Sequence, residues 1–244
     1  MTEQTRMKFP AVFWYANLTE LFERAAYYSM ASFVVIYLGQ LGLGTYWPAM
    51  LNTLLWFLIY FLANPLVIVC FQLLVTKLFG RLRPIRSMII GTLIIGAAMA
   101  LNLIPLLVGG ELRESMGGWL PVGSFIVVAS IALGAFAELF TSARMYEYVG
   151  ALAPRGQEGL FLGYANLPLA FGSLAGGPVG ALIFNEVMAR GATRRPDGLL
   201  DLLPDRNAAG WLILMAVGFV SALSMWVFNR WLEKQERKEQ APAV

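Results

Sequence analysis

From about Ala11 to Leu38 the chain is apolar over a length that, at 1.5 Å per residue, crosses a bilayer. Yet Glu20, Glu23 and Arg24 fall near the middle of that run. An ionised side chain at the centre of a spanning helix costs at least about 2.5–3.5 kcal/mol, so such residues face a bundle interior or a watery cavity and are paired there. The spacing supports this. Glu20 and Arg24 are four apart, Glu20 and Glu23 three apart, and Glu23 and Tyr27 four apart, which puts all four on one helical face. Arg24 can neutralise one carboxylate at a time, so the other has to be protonated, solvated or paired with another helix. A carboxylate short of a partner in a low-dielectric interior favours its protonated form, and so is a candidate proton carrier. The same cluster would also serve as a structural lock between helices.

Composition extends this from one helix to the chain. Of 244 residues, 58% are hydrophobic and only 14% charged, with mean hydropathy +0.64; a soluble domain carries roughly 25% charged residues. An all-α membrane protein follows, with room for six spans of about 20 residues and not for twelve. They are expected at about 11–38, 50–76, 87–107, 119–141, 159–184 and 209–232, between a short arm (1–10) and a charged tail (233–244). The first run is too long and too charged for a cleaved signal peptide and reads as an uncleaved span. Net charge +3 reflects basic loops, not nucleic-acid binding. The chain has no histidine, which excludes histidine relays and histidine metal sites. The single Cys70 cannot form an internal disulfide and reads as a packing residue. No nucleophile–base pair, metal-ligand cluster or phosphate-cradling glycine loop is legible, so neither an enzyme nor a cofactor or metal is expected.

Several local features refine the spans. Phe13-Trp14-Tyr15 opens the first as an aromatic girdle, and Trp211 and Trp231 bracket the sixth as boundary anchors. Asn64-Pro65 predicts a kink in the second. Gly and Ala crowd the third, and Pro168, Gly172, Gly176, Gly177, Pro178 and Gly180 predict a bent, closely packed fifth. The fourth carries a further acid, Glu138. Basic residues gather in the arm, the 77–86 loop, the 144–158 loop and the tail, while the alternate loops carry few or balanced charges. The positive-inside rule then places both termini in the cytoplasm of an inner-membrane protein.

The sequence around Glu20, Glu23, Arg24, Tyr27 and Tyr28 resembles the E-x-x-E-R-F-x-Y-Y-G signature of the proton-coupled oligopeptide transporters, a branch of the major facilitator superfamily; Ala25 replaces the family's Phe and Ser29 its Gly. Glu138 and Ser142 resemble the acid and serine of the family's tenth helix, with Ala143 in place of the following proline. The acid usual in the loop after the second helix is absent, Thr76-Lys77 standing there. The resemblance covers about the first 40 residues and about 130–232. It implies Glu20, Glu23 and Arg24 as the proton-coupling cluster, and Tyr27, Tyr28 and Glu138 as substrate contacts, Glu138 by binding a peptide's amino terminus. The family's basic residue for the carboxyl end has no obvious counterpart.

Facilitator transporters consist of two six-helix halves, and this chain is one half long. The expectation is a six-helix half-bundle of major-facilitator type, embedded in the lipid bilayer. Its function would be proton-coupled transport of peptides or similar small solutes, completed by a second six-helix unit, most simply another copy in a homodimer. The alternative is a non-transporting structural or docking subunit whose partners are other membrane subunits.

Overall fold

The computed structural model describes residues 9–38, 47–107, 115–116, 120–194 and 200–239. The side chains of Glu23 and Tyr27, and of residues 31–38 and 47–57, lie outside the described set, as do the arm at 1–8 and the tail at 240–244. Among the described residues, seven α-helices of at least seven residues carry the fold: α1 (Ala11–Leu38), α2 (Trp47–Phe79), α3 (Pro84–Ala100), α4 (Val122–Leu152), α5 (Glu158–Tyr164), α6 (Leu167–Leu182) and α7 (Pro204–Glu239). Short antiparallel ladders, Ser115–Met116 with Leu120–Pro121 and Thr193–Arg194 with Leu200–Asp201, close two of the connections.

Five stretches among the described residues are long and apolar enough to cross a membrane: Leu62–Phe79, Pro84–Leu103, Phe125–Leu152, Glu158–Met188 and Pro204–Gln235. The chain is a helical membrane protein. Helix α1, 28 residues long, has the length of a further span but is not one of these five.

Local chemistry explains the element ends. Pro84 starts α3, where its missing N–H belongs to the unbonded first turn. Pro65 lies within α2 and Pro178 within α6. The fourth of these stretches, Glu158–Met188, is interrupted at Ala165–Asn166, where the Asn166 amide donates back to the Leu162 carbonyl (3.0 Å) and Pro168 lies in the first turn of the next helix. It ends in a π-helical turn, Ile183–Met188, closed by the Ala189 N–H on the Phe184 carbonyl at 2.7 Å. The last helix, α7, starts at Pro204 and runs on to Glu239, because the Glu, Lys, Gln and Arg residues past the apolar run are good helix formers that continue into water.

Two sequence expectations are corrected. Trp211 is not a boundary anchor: it is fully buried, packed with Met188 and Leu214 in the largest apolar cluster. A tryptophan near a helix end looks the same in sequence whether it meets lipid headgroups or a neighbouring loop. Cys70 is exposed on α2, not packed.

Among the described residues, helix packing follows one chain of neighbours: α6 against α1, α1 against α7, α7 against α3, α3 against α4, and α4 against α2. These contacts join α1, α2 and α3 to the helices that follow them; among α1, α2 and α3 themselves, contact is slight. Glycines make the seams tight. A Cβ added at Gly172 would sit 2.6 Å from the Arg24 Cβ, and one at Gly176 2.5 Å from the Tyr28 Cβ, so α6 lies directly on α1. At the α3–α7 crossing a Cβ on Gly218 would lie 2.8 Å from the Gly96 Cα. One apolar cluster, around Phe13, Met88, Met145 and Met225, occupies one end of the bundle; another, around Met30, Met99, Ile131 and Trp211, occupies the other.

Candidate functional site: an ion cluster at mid-bundle

Between those apolar clusters, near the middle of both α1 and α4, three charged side chains converge. Arg24 and Glu20 are each 7% exposed. The Arg24 Nε donates to Glu20 Oε1 at 2.9 Å, the intrahelical pair that the spacing of four predicts. The Arg24 Nη1 lies 2.5 Å from Oε1 of Glu138 on α4, and Nη2 donates to the Ser142 hydroxyl one turn further on. All three guanidinium nitrogens are thus engaged, two of them by different carboxylates. The expectation that Arg24 serves one acid at a time underestimates it: the planar fork presents separate donors, which an ammonium could not do in fixed geometry.

Glu138 is also held by α2. Its second oxygen accepts from the Asn64 amide at 3.2 Å. The carboxylate is less enclosed than Glu20, with 21% of its side chain exposed against 9%. So α1, α2 and α4 meet at one acid. The described groups amount to two carboxylates for one guanidinium, a formal charge of about −1 at mid-depth, where an unpaired charge is expensive.

The polar line continues along α4. Glu138, Ser142 and Tyr146 follow at intervals of four and share a face. Tyr146 donates to Asn166 Oδ1 at 2.9 Å, tying α4 to the break between α5 and α6. On α1, Asn17 lies on the face of Glu20 and Arg24; its amide donates to the Phe13 carbonyl at 2.7 Å, and its buried side-chain oxygen has no hydrogen-bond partner among the described groups.

The structure therefore brings together Glu20, Arg24 and Glu138. Tyr28 is partly buried and packs against Gly176 of α6. Glu23 and Tyr27 belong to α1, but their side chains lie outside the described residues. Asn64 and Tyr146 join the cluster without having been singled out for it. The spacing of four from Ser142 could have indicated Tyr146. Nothing in the sequence ties Asn64 to an acid on another helix. No group of three or more metal-ligating side chains occurs among the described residues. At the end of the bundle where α2 meets α3, Arg144 donates to the Phe79 carbonyl at 3.2 Å and pairs with Glu147 at 2.6 Å, a cation at the negative end of α2.

No protein-family model matches this sequence, and none of the curated proteins compared with it does.

Proposed function

We propose that the chain is a six-span, proton-coupled transport unit for peptides or similar small solutes, α1 being the sixth span, and that it works with a second six-helix unit. The observation that carries this reading is the Glu20–Arg24–Glu138 cluster, in which one buried cation is shared between carboxylates of two helices. Glu138 is the more accessible acid, so it is the proton acceptor in this reading. A proton on Glu138 removes the charge that holds α4 to α1 and leaves Arg24 with Glu20. Gain and loss of that proton thus alternately loosen and tighten the α1–α4 contact, which is the coupling a symporter requires.

The packing order supports a facilitator-type bundle. Exchanging spans one, two and three with four, five and six maps the α1–α6 contact onto α4–α2, the α3–α4 contact onto α7–α1, and the α3–α7 contact onto itself. Such an internal three-plus-three relation is the build of each facilitator half. The exposed α2 and α6 faces, with Leu66, Val69, Leu73, Phe171 and Leu174 outward, leave room for the second unit.

The test is proton flux into proteoliposomes holding a pH-sensitive dye. Addition of di- or tripeptides should acidify the lumen, and Glu138→Gln should abolish the signal while the protein stays folded. Peptide-independent pH traces in the wild type would overturn the reading, and firm co-purification of foreign subunits would then favour a docking role.

A further inference from the structure

A groove of about 590 Å³ lies between α1 and α7, away from the ion cluster. Tyr15, Leu18 and Phe22 form one wall, and Ser221, Phe228 and Trp231 lie on the other. Tyr15 stacks on Phe228 at 4.2 Å, and Phe228 on Trp231 at 5.8 Å, so the groove closes towards one end of the bundle under a stack of rings. From Ser221 to Trp231 the α7 wall rises about 15 Å, half of a hydrocarbon core of about 30 Å. That is the depth of one leaflet. A spanning helix, from a second copy or another subunit, would need a seat twice as long.

The ring-closed end is basic. Arg230 packs over the Trp226 ring at 5.1 Å, and Lys234 follows one turn later. Glu233, the acid between them, is taken by Arg86 at 2.8 Å and by the Asn229 amide at 3.2 Å. Among the described residues Arg230 and Lys234 form no salt bridge, and both lie within one helical turn of Trp231, at the ring-closed end of the slot, although neither is part of its wall. Their long stems let both heads reach the interface. We propose that this groove is a binding site for an anionic phospholipid of the adjoining leaflet, one acyl chain lying along Leu18, Phe22 and Ser221, and the phosphate and its anionic headgroup meeting Arg230 and Lys234. Aromatic rings at headgroup height and basic side chains above an apolar seat are the two components of such sites.

Native mass spectrometry of the full chain in mild detergent tests this, with phosphatidylglycerol and phosphatidylcholine of identical acyl chains as the probes. The first phosphatidylglycerol should bind more tightly than the first phosphatidylcholine, by about fivefold for each cation. The double variant Arg230→Gln/Lys234→Gln, altered only at exposed positions, should bind the two lipids equally. Ser224→Trp, which fills the groove, should remove the first adduct of both. Equal binding of the two lipids by the wild type overturns the proposal, as does a preference that survives the double variant or adducts undiminished by Ser224→Trp. A dimer lost on filling the groove would assign the seat to a second copy and overturn it too.

Discussion

The Arg24 guanidinium lies 2.5 Å from the Glu138 carboxylate, and this contact joins the first helix to the fourth at mid-depth. Removing either partner leaves the other charged and enclosed. Arg24→Gln should therefore destabilise the protein by about 3–5 kcal/mol, lowering the melting temperature in detergent by on the order of 10 °C. Replacing Glu20, Arg24 and Glu138 together with leucine should recover most of that loss. A triple variant as unstable as the single one would show that the cluster does more for folding than cancel its own charges.

Arg24→Lys should fall between the wild type and Arg24→Gln. The ammonium keeps the charge but cannot hold Glu20, Glu138 and Ser142 in one plane. Thermal melts of the purified variant, read beside those of Ser142→Ala, measure how much the fork geometry matters. If lysine proves equivalent to arginine, charge alone holds the site.

Neighbouring glycines on α6 should respond oppositely. A methyl group at Gly176 meets the Tyr28 Cβ at 2.5 Å, whereas one at Gly177 meets nothing within 4 Å. Gly176→Ala should cost about 1–3 kcal/mol by forcing α6 off α1; Gly177→Ala should leave stability unchanged or slightly raised. Equal melting temperatures for the two variants would mean that α6 does not sit on α1 as described.

Trp211 and Trp231 should differ in the same manner. Trp211 is wholly enclosed, while Trp231 is 46% exposed. Trp211→Ala should cost about 3–5 kcal/mol, and Trp231→Ala less than about 1 kcal/mol. In single-tryptophan variants, brominated lipid should quench Trp231 and spare Trp211; the reverse pattern would contradict the packing around Met188.

Cys70 offers a native probe, since it is the chain's one cysteine and is exposed on α2. A nitroxide attached there, in lipid, should relax more through dissolved oxygen than through a water-soluble nickel complex. Greater access for the nickel complex would place this face of α2 in water.

How far the site could be read from sequence depends on the range of each contact. The Glu20–Arg24 pair was legible because a separation of four on a helix fixes two side chains on one face. The Glu138 pair was not, because nothing in residue spacing encodes the register between α1 and α4. Asn64 was legible only as the residue before a proline, and its bond to Glu138 depends on how α2 crosses α4. The glycines of α6 announced close packing, yet the partner they pack on, the Arg24–Tyr28 face of α1, emerges only in three dimensions. Trp211 misled because burial and boundary anchoring select the same residue at the same place along a helix.

The seams described above run almost wholly between α1, α2 or α3 and the helices that follow them. During synthesis the early helices therefore enter the bilayer without the surfaces they are shaped to meet. Arg24 must wait, with Glu20 as its described partner on α1, until the ribosome delivers Glu138, and Gly176 arrives later still. Assembly of the bundle is thereby tied to the synthesis of its later helices, which bring the surfaces that the early ones meet.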